Sequence, residues 1–198
     1  MLNHKICVVG GGYWGKNHIK TLYELDCLGG VVEPDKSKHI FIENNFPEAK
    51  IYSSLDQSFI DCVFDGYTVA TPAETHYDIG MKILNEGKNV LIEKPLTLDL
   101  QQAEKLCKLS KDKLVTLMVG HLLLFHPAII KIKEMIRDGA IGKLQYIYSN
   151  RLNLGQVRAN ENVFWSLAPH DISIFQFFTN LFPVEINAYG SSFLQEGI

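Results

Sequence analysis

Short apolar runs alternate with amphipathic stretches along the first 120 residues of the chain. The apolar runs predict strands at residues 5–9, 29–32, 50–52, 66–70, 89–92 and 114–119. Between them, apolar side chains recur at helical spacing and predict helices near residues 15–25, 37–45, 74–86 and 100–109. Strands that alternate with helices in this way are typical of a parallel sheet with crossover helices. We therefore predict an α/β domain with a doubly wound parallel sheet over residues 1–120.

The pattern changes after Gly120. It predicts a helix at residues 126–137, an alternating strand at 143–154, a polar loop to 167, a helix at 169–178 and a strand at 184–193. We interpret residues 121–198 as a partial α+β domain. Two strands with two helices form a thin layer, which leaves apolar faces and strand edges uncovered. We therefore expect a homo-oligomer that is joined through this C-terminal sheet.

Composition narrows the classes of protein to consider. Hydrophobic residues make up 46% and charged residues 21% of the chain, which excludes intrinsic disorder. A formal net charge of -3 gives no field that would hold a nucleic acid. The chain has neither a membrane-length apolar run nor the apolar core of a secretory signal, so we expect a cytoplasmic protein without a membrane partner. The spacings of its cysteines and histidines predict no metal site.

The strongest local motif is G-x-G-x-x-G, formed by Gly10, Gly12 and Gly15 between a predicted strand and a predicted helix. In a Rossmann-type fold, the first glycine permits a tight turn, the second lets the backbone approach a pyrophosphate, and the third lets helix and strand pack closely. We therefore predict a dinucleotide site here, and we assign Tyr13 and Trp14 to it. A purely structural tight turn, or a turn for another adenosine ligand, is the alternative.

Glu33 ends the second predicted strand, 18 residues beyond Gly15. Its carboxylate is expected to accept hydrogen bonds from the adenosine ribose and to repel a 2'-phosphate, which favours NAD over NADP. Asp35 can share the ribose contact or act as a turn residue after Pro34. Lys36 and Lys38 follow closely and can host a 2'-phosphate, so NADP is the less favoured cofactor.

Two further groups of polar residues follow predicted strands. Glu93, Lys94 and Pro95 follow the run at residues 90–92, at the edge of the sheet where ligands of such folds collect. A lysine beside a nicotinamide cation in a dry cleft is suited to proton exchange with a substrate hydroxyl, although an ordinary loop lysine fits the spacing equally well. The second group lies against the nicotinamide side of a dinucleotide or forms a helix N-terminus, and it comprises Thr71, Pro72 and His76.

Together these motifs resemble the Gfo/Idh/MocA family of sugar dehydrogenases. The matching stretches are residues 10–15 with His18, residues 70–72 with His76, residues 93–95, Gly120-His121 with residues 125–127, residues 137–142, and residues 165–170. The resemblance implies that Lys94 is a catalytic group beside the nicotinamide and that His170 is the second one. Polyol-oxidising members commonly carry an acid four residues before that histidine, where this chain has Ser166.

A closer similarity to members that act on nucleotide-linked sugars rests on residues 150–158 and on Trp165. It implies that Arg151, Asn153 and Arg158 bind the substrate together with Lys94 and His170, although both arginines also fit a solvated surface. The expected function is hydride transfer between NAD and a sugar hydroxyl. One alternative is a truncated, non-catalytic NAD-binding or regulatory module, because family chains are typically longer. A methyltransferase that binds S-adenosylmethionine would leave residues 93–95 unexplained.

Overall fold

A computed structural model describes residues 4–61, 63–152 and 162–193 of the chain. The chain divides into two compact units, Met1–Gly120 and His121–Ile198. Within the described ranges, no helix has the length and apolar character needed to cross a membrane.

The first unit is built on a parallel sheet of six strands in the order β3-β2-β1-β4-β5-β6. The strands are β1 (Ile6–Val9), β2 (Leu28–Val32), β3 (Lys50–Tyr52), β4 (Gly66–Val69), β5 (Asn89–Ile92) and β6 (Leu117–Val119). The order reverses between β1 and β4, so the carboxyl ends of these two strands border the crevice in which such folds bind ligands. The predicted doubly wound α/β fold is confirmed.

Among the described residues of this unit, five helices accompany the sheet. They are α1 (Gly15–Glu24), α2 (His39–Asn45), α3 (Leu55–Ile60), α4 (His76–Asn85) and α5 (Leu100–Asp112). Short 3-10 turns, Lys36–Lys38 and Ala73–Thr75, precede α2 and α4. The six-residue helix α3 was not predicted, because so short a segment shows little periodicity; its cap is the Ser54 hydroxyl, which accepts the Gln57 N–H at 3.3 Å.

Two apolar clusters form the core of this unit. Cys7 and Val9 of β1 belong to one cluster, whereas Val8 between them belongs to the other. This alternation follows from the period of two in a strand, which sends successive side chains to opposite faces of a sheet. Burial on both faces explains why these strands read as continuous apolar runs in the sequence.

The second unit contains a 3-10 turn at Leu122–Phe125 and the helices α6 (Pro127–Arg137) and α7 (Val163–Thr179). Helix α7 begins six residues before the predicted start at Pro169, so that prediction was wrong. The Asn162 side chain caps the new start by accepting the Trp165 N–H at 3.0 Å. Pro169 then lies inside the helix, although proline more often marks a helix start.

The two long strands predicted for this unit are not present in its described residues. Residues 144–150 and 185–190 form no paired strand, and the end of the first segment, at 153–154, lies outside the described part. A strand is stable only when a neighbour takes its backbone N–H and C=O groups, and the described residues offer these segments no such neighbour. The sheet through which we expected the oligomer to form is therefore not present in the described residues. Tyr146, Tyr148 and Ile186 of these segments are nevertheless largely exposed.

Candidate functional site

The glycine turn connects β1 to α1 at the carboxyl edge of the sheet. Gly10 has a φ of +97°, and a Cβ atom there would lie 2.9 Å from Thr71 Cγ2. A Cβ at Gly15 would lie only 1.9 Å from the Gly10 carbonyl oxygen, whereas one at Gly12 would meet no atom within 4 Å. The turn is thus closely packed at both ends and open at Gly12, as backbone contact with a pyrophosphate requires.

Glu33 supports this turn from the end of β2. Its Oε2 accepts the Gly11 N–H at 2.7 Å, and its Oε1 accepts the Asp35 N–H at 2.9 Å. A Cβ at Gly11 would lie 3.0 Å from the same Oε2, so a larger residue there would require the carboxylate to shift. This contact was not predicted from the sequence, because Gly11 occupies a variable position of the G-x-G-x-x-G pattern.

Three charged side chains lie together after β2. Lys38 Nζ is 3.3 Å from Glu33 Oε2 and 3.7 Å from Asp35 Oδ2. The side chain of Glu33 is 5% exposed and that of Asp35 is 50% exposed, so Asp35 is the more accessible carboxylate. Hydrogen bonds from the Ser37 hydroxyl and N–H lower the pKa of Asp35, which keeps this carboxylate ionised at neutral pH.

Glu93 connects the end of β5 to helix α1. Its Oε1 accepts the Trp14 Nε1–H at 2.8 Å and lies 2.8 Å from His18 Nε2, while its Oε2 accepts the Lys94 N–H at 3.2 Å. The other ring nitrogen of His18 lies 3.1 Å from Thr68 Oγ1 on β4. Burial alone raises the pKa of Glu93, but the hydrogen bonds from His18 and Trp14 outweigh it and the pKa is lowered. A buried, ionised carboxylate therefore lies beside Lys94.

Gly120 completes the wall around this carboxylate. A Cβ at Gly120 would lie 2.9 Å from Glu93 Oε2, closer than real Cβ contacts come. The sequence analysis assigned Glu93 to the cofactor site but did not identify these partners. Trp14 is the N-cap residue of α1 and His18 follows four residues later, a spacing that brings both side chains to the same side of the helix start. This spacing was the signal available in the sequence.

His76, the first residue of α4, joins the loops that follow β4 and β5. Its Nδ1 lies 2.8 Å from the Pro95 carbonyl oxygen, and its Nε2 lies 2.9 Å from the Thr71 carbonyl oxygen. The side chain is 1% exposed, so no water replaces either contact. His76 therefore fixes the loop that holds Thr71 and Pro72 against the loop that holds Lys94 and Pro95.

The remaining predicted residues of this unit differ in accessibility. Lys94 is half-buried directly after β5, and its bond to Pro95 is cis. Tyr13 is 92% exposed and Trp14 is 43% exposed. The structure thus brings the glycine turn, Glu93 and Lys94 to one edge of the sheet.

Two predicted residues of the second unit are described: His170 lies on α7, and Arg151 contacts that helix. His170 is half-buried, and Ser166 precedes it by one helical turn on the same face. Arg151 donates from Nε to Asp171 Oδ2 at 2.5 Å and from Nη2 to Oδ1 at 3.0 Å, and Ser149 Oγ donates to Oδ1 at 2.8 Å. The hydrogen bond from Arg151 lowers the pKa of Asp171. The sequence analysis missed Asp171.

Two predicted substrate residues, Asn153 and Arg158, lie outside the described residues. Within the described ranges, no three His, Cys, Asp or Glu side chains come together as metal ligands would.

Solved structures with the same fold cover nearly the whole chain. UDP-N-acetylglucosamine 3-dehydrogenase GnnA from Acidithiobacillus ferrooxidans matches with a TM-score of 0.86 and 25% identity, over 98% of this chain and 62% of that one. GenD2 from gentamicin A biosynthesis, solved in complex with NAD, matches with a TM-score of 0.76 and 24% identity, over 90% of this chain and 54% of that one. The second likeness shows the fold alone.

Curated relatives are similar over the same range. UDP-N-acetylglucosamine 3-dehydrogenase of A. ferrooxidans is 26% identical over 191 residues, which are 96% of this chain and 59% of that protein. The scyllo-inositol 2-dehydrogenase (NAD(+)) of Bacillus subtilis is 25% identical over 96% of this chain and 58% of that protein. The chain thus spans less than two thirds of the length of these relatives.

The profile of one family, described as an oxidoreductase family with an NAD-binding Rossmann fold, matches residues 4–121. The match includes all six strands, the glycine turn, Glu33 and the segment from Glu93 to Pro95. The chain therefore belongs to the Gfo/Idh/MocA family of oxidoreductases, and its first unit is an NAD-binding Rossmann domain.

Proposed function

We propose that this chain carries the cofactor site and the catalytic lysine of an NAD-dependent sugar dehydrogenase. The observation that carries the proposal is the position of Lys94, half-buried at the carboxyl end of β5 and directly beside the buried carboxylate of Glu93. Catalytic groups of doubly wound folds gather at this edge of the sheet. In this reaction NAD supplies the hydride acceptor, and the redox chemistry belongs to the cofactor.

The residues of the glycine turn fit a dinucleotide. The open side of Gly12 admits a pyrophosphate to the backbone, where the first N–H groups of α1 donate to it. Glu33 Oε1 has acceptor capacity beyond the Asp35 N–H, and Asp35 is the accessible carboxylate for the ribose hydroxyls. We therefore assign the pyrophosphate to Gly10, Gly12 and Gly15 and the adenosine ribose to Glu33 and Asp35.

The charges after β2 support NAD rather than NADP. Two carboxylates there would repel a 2'-phosphate, and Lys38 is already paired with both of them. Using Lys38 for a phosphate would break these ion pairs.

Lys94 is the proposed base. Its Nζ takes the proton of the sugar hydroxyl as the carbinol C–H bond breaks, so the oxidised carbon becomes a ketone. His170 is proposed as the second proton-handling group. Lys94 and His170 belong to different units of the chain, so the proposal includes that both residues act on the same substrate.

A nucleotide-linked sugar is the proposed substrate class. One relative is by name a UDP-N-acetylglucosamine 3-dehydrogenase. This chain also has Ser166 at the position where polyol-oxidising members commonly carry an acid.

The geometry changes the role we assign to Arg151. Arg151 donates its Nε–H and Nη2–H to Asp171, so we assign it the role of holding residues 149–151 against α7 next to His170. Arg158 remains the proposed anion-binding arginine. The expected cytoplasmic location also remains a prediction.

Turnover measured with NAD and a panel of UDP-sugars, with myo-inositol and glucose for comparison, tests the proposal. Lys94→Ala should keep NAD affinity and lower turnover by roughly a hundredfold. Lys108→Ala is the matched control. The exposed Lys108 side chain pairs with Asp112 on the same helix, so its removal should leave turnover unchanged. NAD binding without turnover of any sugar would favour the non-catalytic module, and efficient oxidation of free inositol would reject the nucleotide-linked class.

A further inference from the structure

Glu93 is a buried charge to which the proposed mechanism gives no task. Its side chain is 11% exposed. Trp14, the N-cap residue of α1, and His18 of α1 contact one side of its carboxylate, and the Lys94 N–H donates to the other side. A carboxylate of this kind costs free energy to bury even when it is hydrogen-bonded. Its retention beside the proposed base therefore calls for a functional explanation.

The surroundings of Glu93 place its charge between two parts of the cofactor site. Helix α1 follows the glycine turn, to which we assign the pyrophosphate, and Lys94 stands at the proposed reacting carbon. A dinucleotide that reaches from the turn to Lys94 must bring its nicotinamide end to the neighbourhood of Glu93. The two redox forms differ there by one positive charge, which only the oxidised nicotinamide carries.

We propose that the Glu93 carboxylate gives this chain a preference for NAD⁺ over NADH. The inference rests on the proposed function, since it needs the nicotinamide at this edge of the sheet. A fixed anion attracts the oxidised ring and gains nothing from the neutral, reduced ring. At an effective dielectric of about 20, a unit charge within about 12 Å of the ring changes the ratio of the two affinities by roughly tenfold or more. Glu93 is thus a specificity-determining residue, with no proton to transfer.

The test compares dissociation constants for NAD⁺ and NADH, measured by calorimetry at pH 8, where imidazoles are ordinarily neutral. Glu93→Gln keeps an acceptor oxygen for Trp14 and His18 but removes the charge. In the variant, we expect the ratio of the affinity for NAD⁺ to the affinity for NADH to fall roughly tenfold. This fall raises the reduction potential of the bound NAD⁺/NADH couple by about 30 mV. Glu33→Gln is the matched control, because it neutralises a carboxylate at the adenosine end, where both redox forms carry the same charge. It should weaken both affinities by the same factor.

Three results would count against the assignment of this preference to Glu93. An unchanged affinity ratio in Glu93→Gln, or an equal change of ratio in Glu33→Gln, overturns the proposal. If Glu93→Gln does not fold, the wild-type protein still tests the inference, because tighter binding of NADH than of NAD⁺ contradicts it. A wild-type chain that binds neither form refutes the proposed cofactor site first, so the two failures are distinguishable.

Discussion

Two alanine substitutions in the glycine turn should have opposite consequences, although they are only three positions apart. In Gly15→Ala, the new Cβ would lie 1.9 Å from the Gly10 carbonyl oxygen, far inside the roughly 3.5 Å at which non-bonded atoms normally meet. The obstacle is backbone, which no side-chain rotation can move away. In Gly12→Ala, the new Cβ would meet no atom within 4 Å.

The expected magnitudes follow from these distances. Overpacking costs about 1 to 3 kcal/mol and occasionally more, and Gly15→Ala belongs at the upper end because α1 must move away from β1. A loss of about 3 kcal/mol corresponds to a fall in Tm of roughly 6 to 12 °C for a protein of this size. Gly12→Ala should leave the free energy of unfolding unchanged or raise it by up to about 1 kcal/mol, since alanine restricts the unfolded chain.

The assay pairs thermal unfolding without cofactor with calorimetric titration of NAD. Gly12→Ala should keep its Tm and lose affinity for NAD by roughly tenfold or more, because its methyl group occupies the side that the pyrophosphate approaches. NAD at about one hundred times its dissociation constant should stabilise the wild type by roughly 2.7 kcal/mol. Wild-type stability in Gly15→Ala, or wild-type NAD affinity in Gly12→Ala, would refute the reasoning.

Three further predictions concern other parts of the chain. His76→Phe should lower the free energy of unfolding by about 2 kcal/mol or more, because phenylalanine offers no N–H to the Thr71 and Pro95 carbonyl oxygens that lie beside the imidazole nitrogens. His4→Phe, at an exposed site, is the control in denaturant titrations. Glu93 has a lowered pKa, so its contribution to stability is complete above the usual glutamate pKa of about 4.3 and is lost as pH falls further. Acid unfolding curves of wild type and Glu93→Gln should therefore converge at low pH, and curves that stay parallel would contradict this. The exposed aromatic side chains of the second unit should promote self-association, and a monomeric mass by light scattering at high concentration would count against it.

The sheet and the glycine turn could be predicted because their signals are local. Continuous apolar runs such as residues 6–9 are buried on both faces, and the backbone of a tight turn demands glycine at Gly10 whatever lies nearby. The same local rules misplaced the start of α7. Within a helix, proline is favoured in the first turn, but here the asparagine cap lies seven residues upstream and the helix continues through Pro169.

Alternation alone could not establish the strands of the second unit. Period-two patterning shows that a segment has two different faces, but a strand also needs a neighbour for its backbone hydrogen bonds. Residues 144–150 and 185–190 have the pattern, and the described residues give them no such neighbour. The structure therefore decided against the predicted sheet within the described part of this unit.

By itself, the sequence determined the class of the fold, the position of the glycine turn, and the placement of Lys94 after a buried strand. Only the tertiary structure decided which groups hold the functional side chains: Glu93 with Trp14 and His18, more than seventy residues apart, and Arg151 with Asp171. Strand and turn preferences arise from steric restrictions within a few residues. The choice of a hydrogen-bond partner between distant elements depends instead on how each helix settles against the sheet, and no local pattern contains that information.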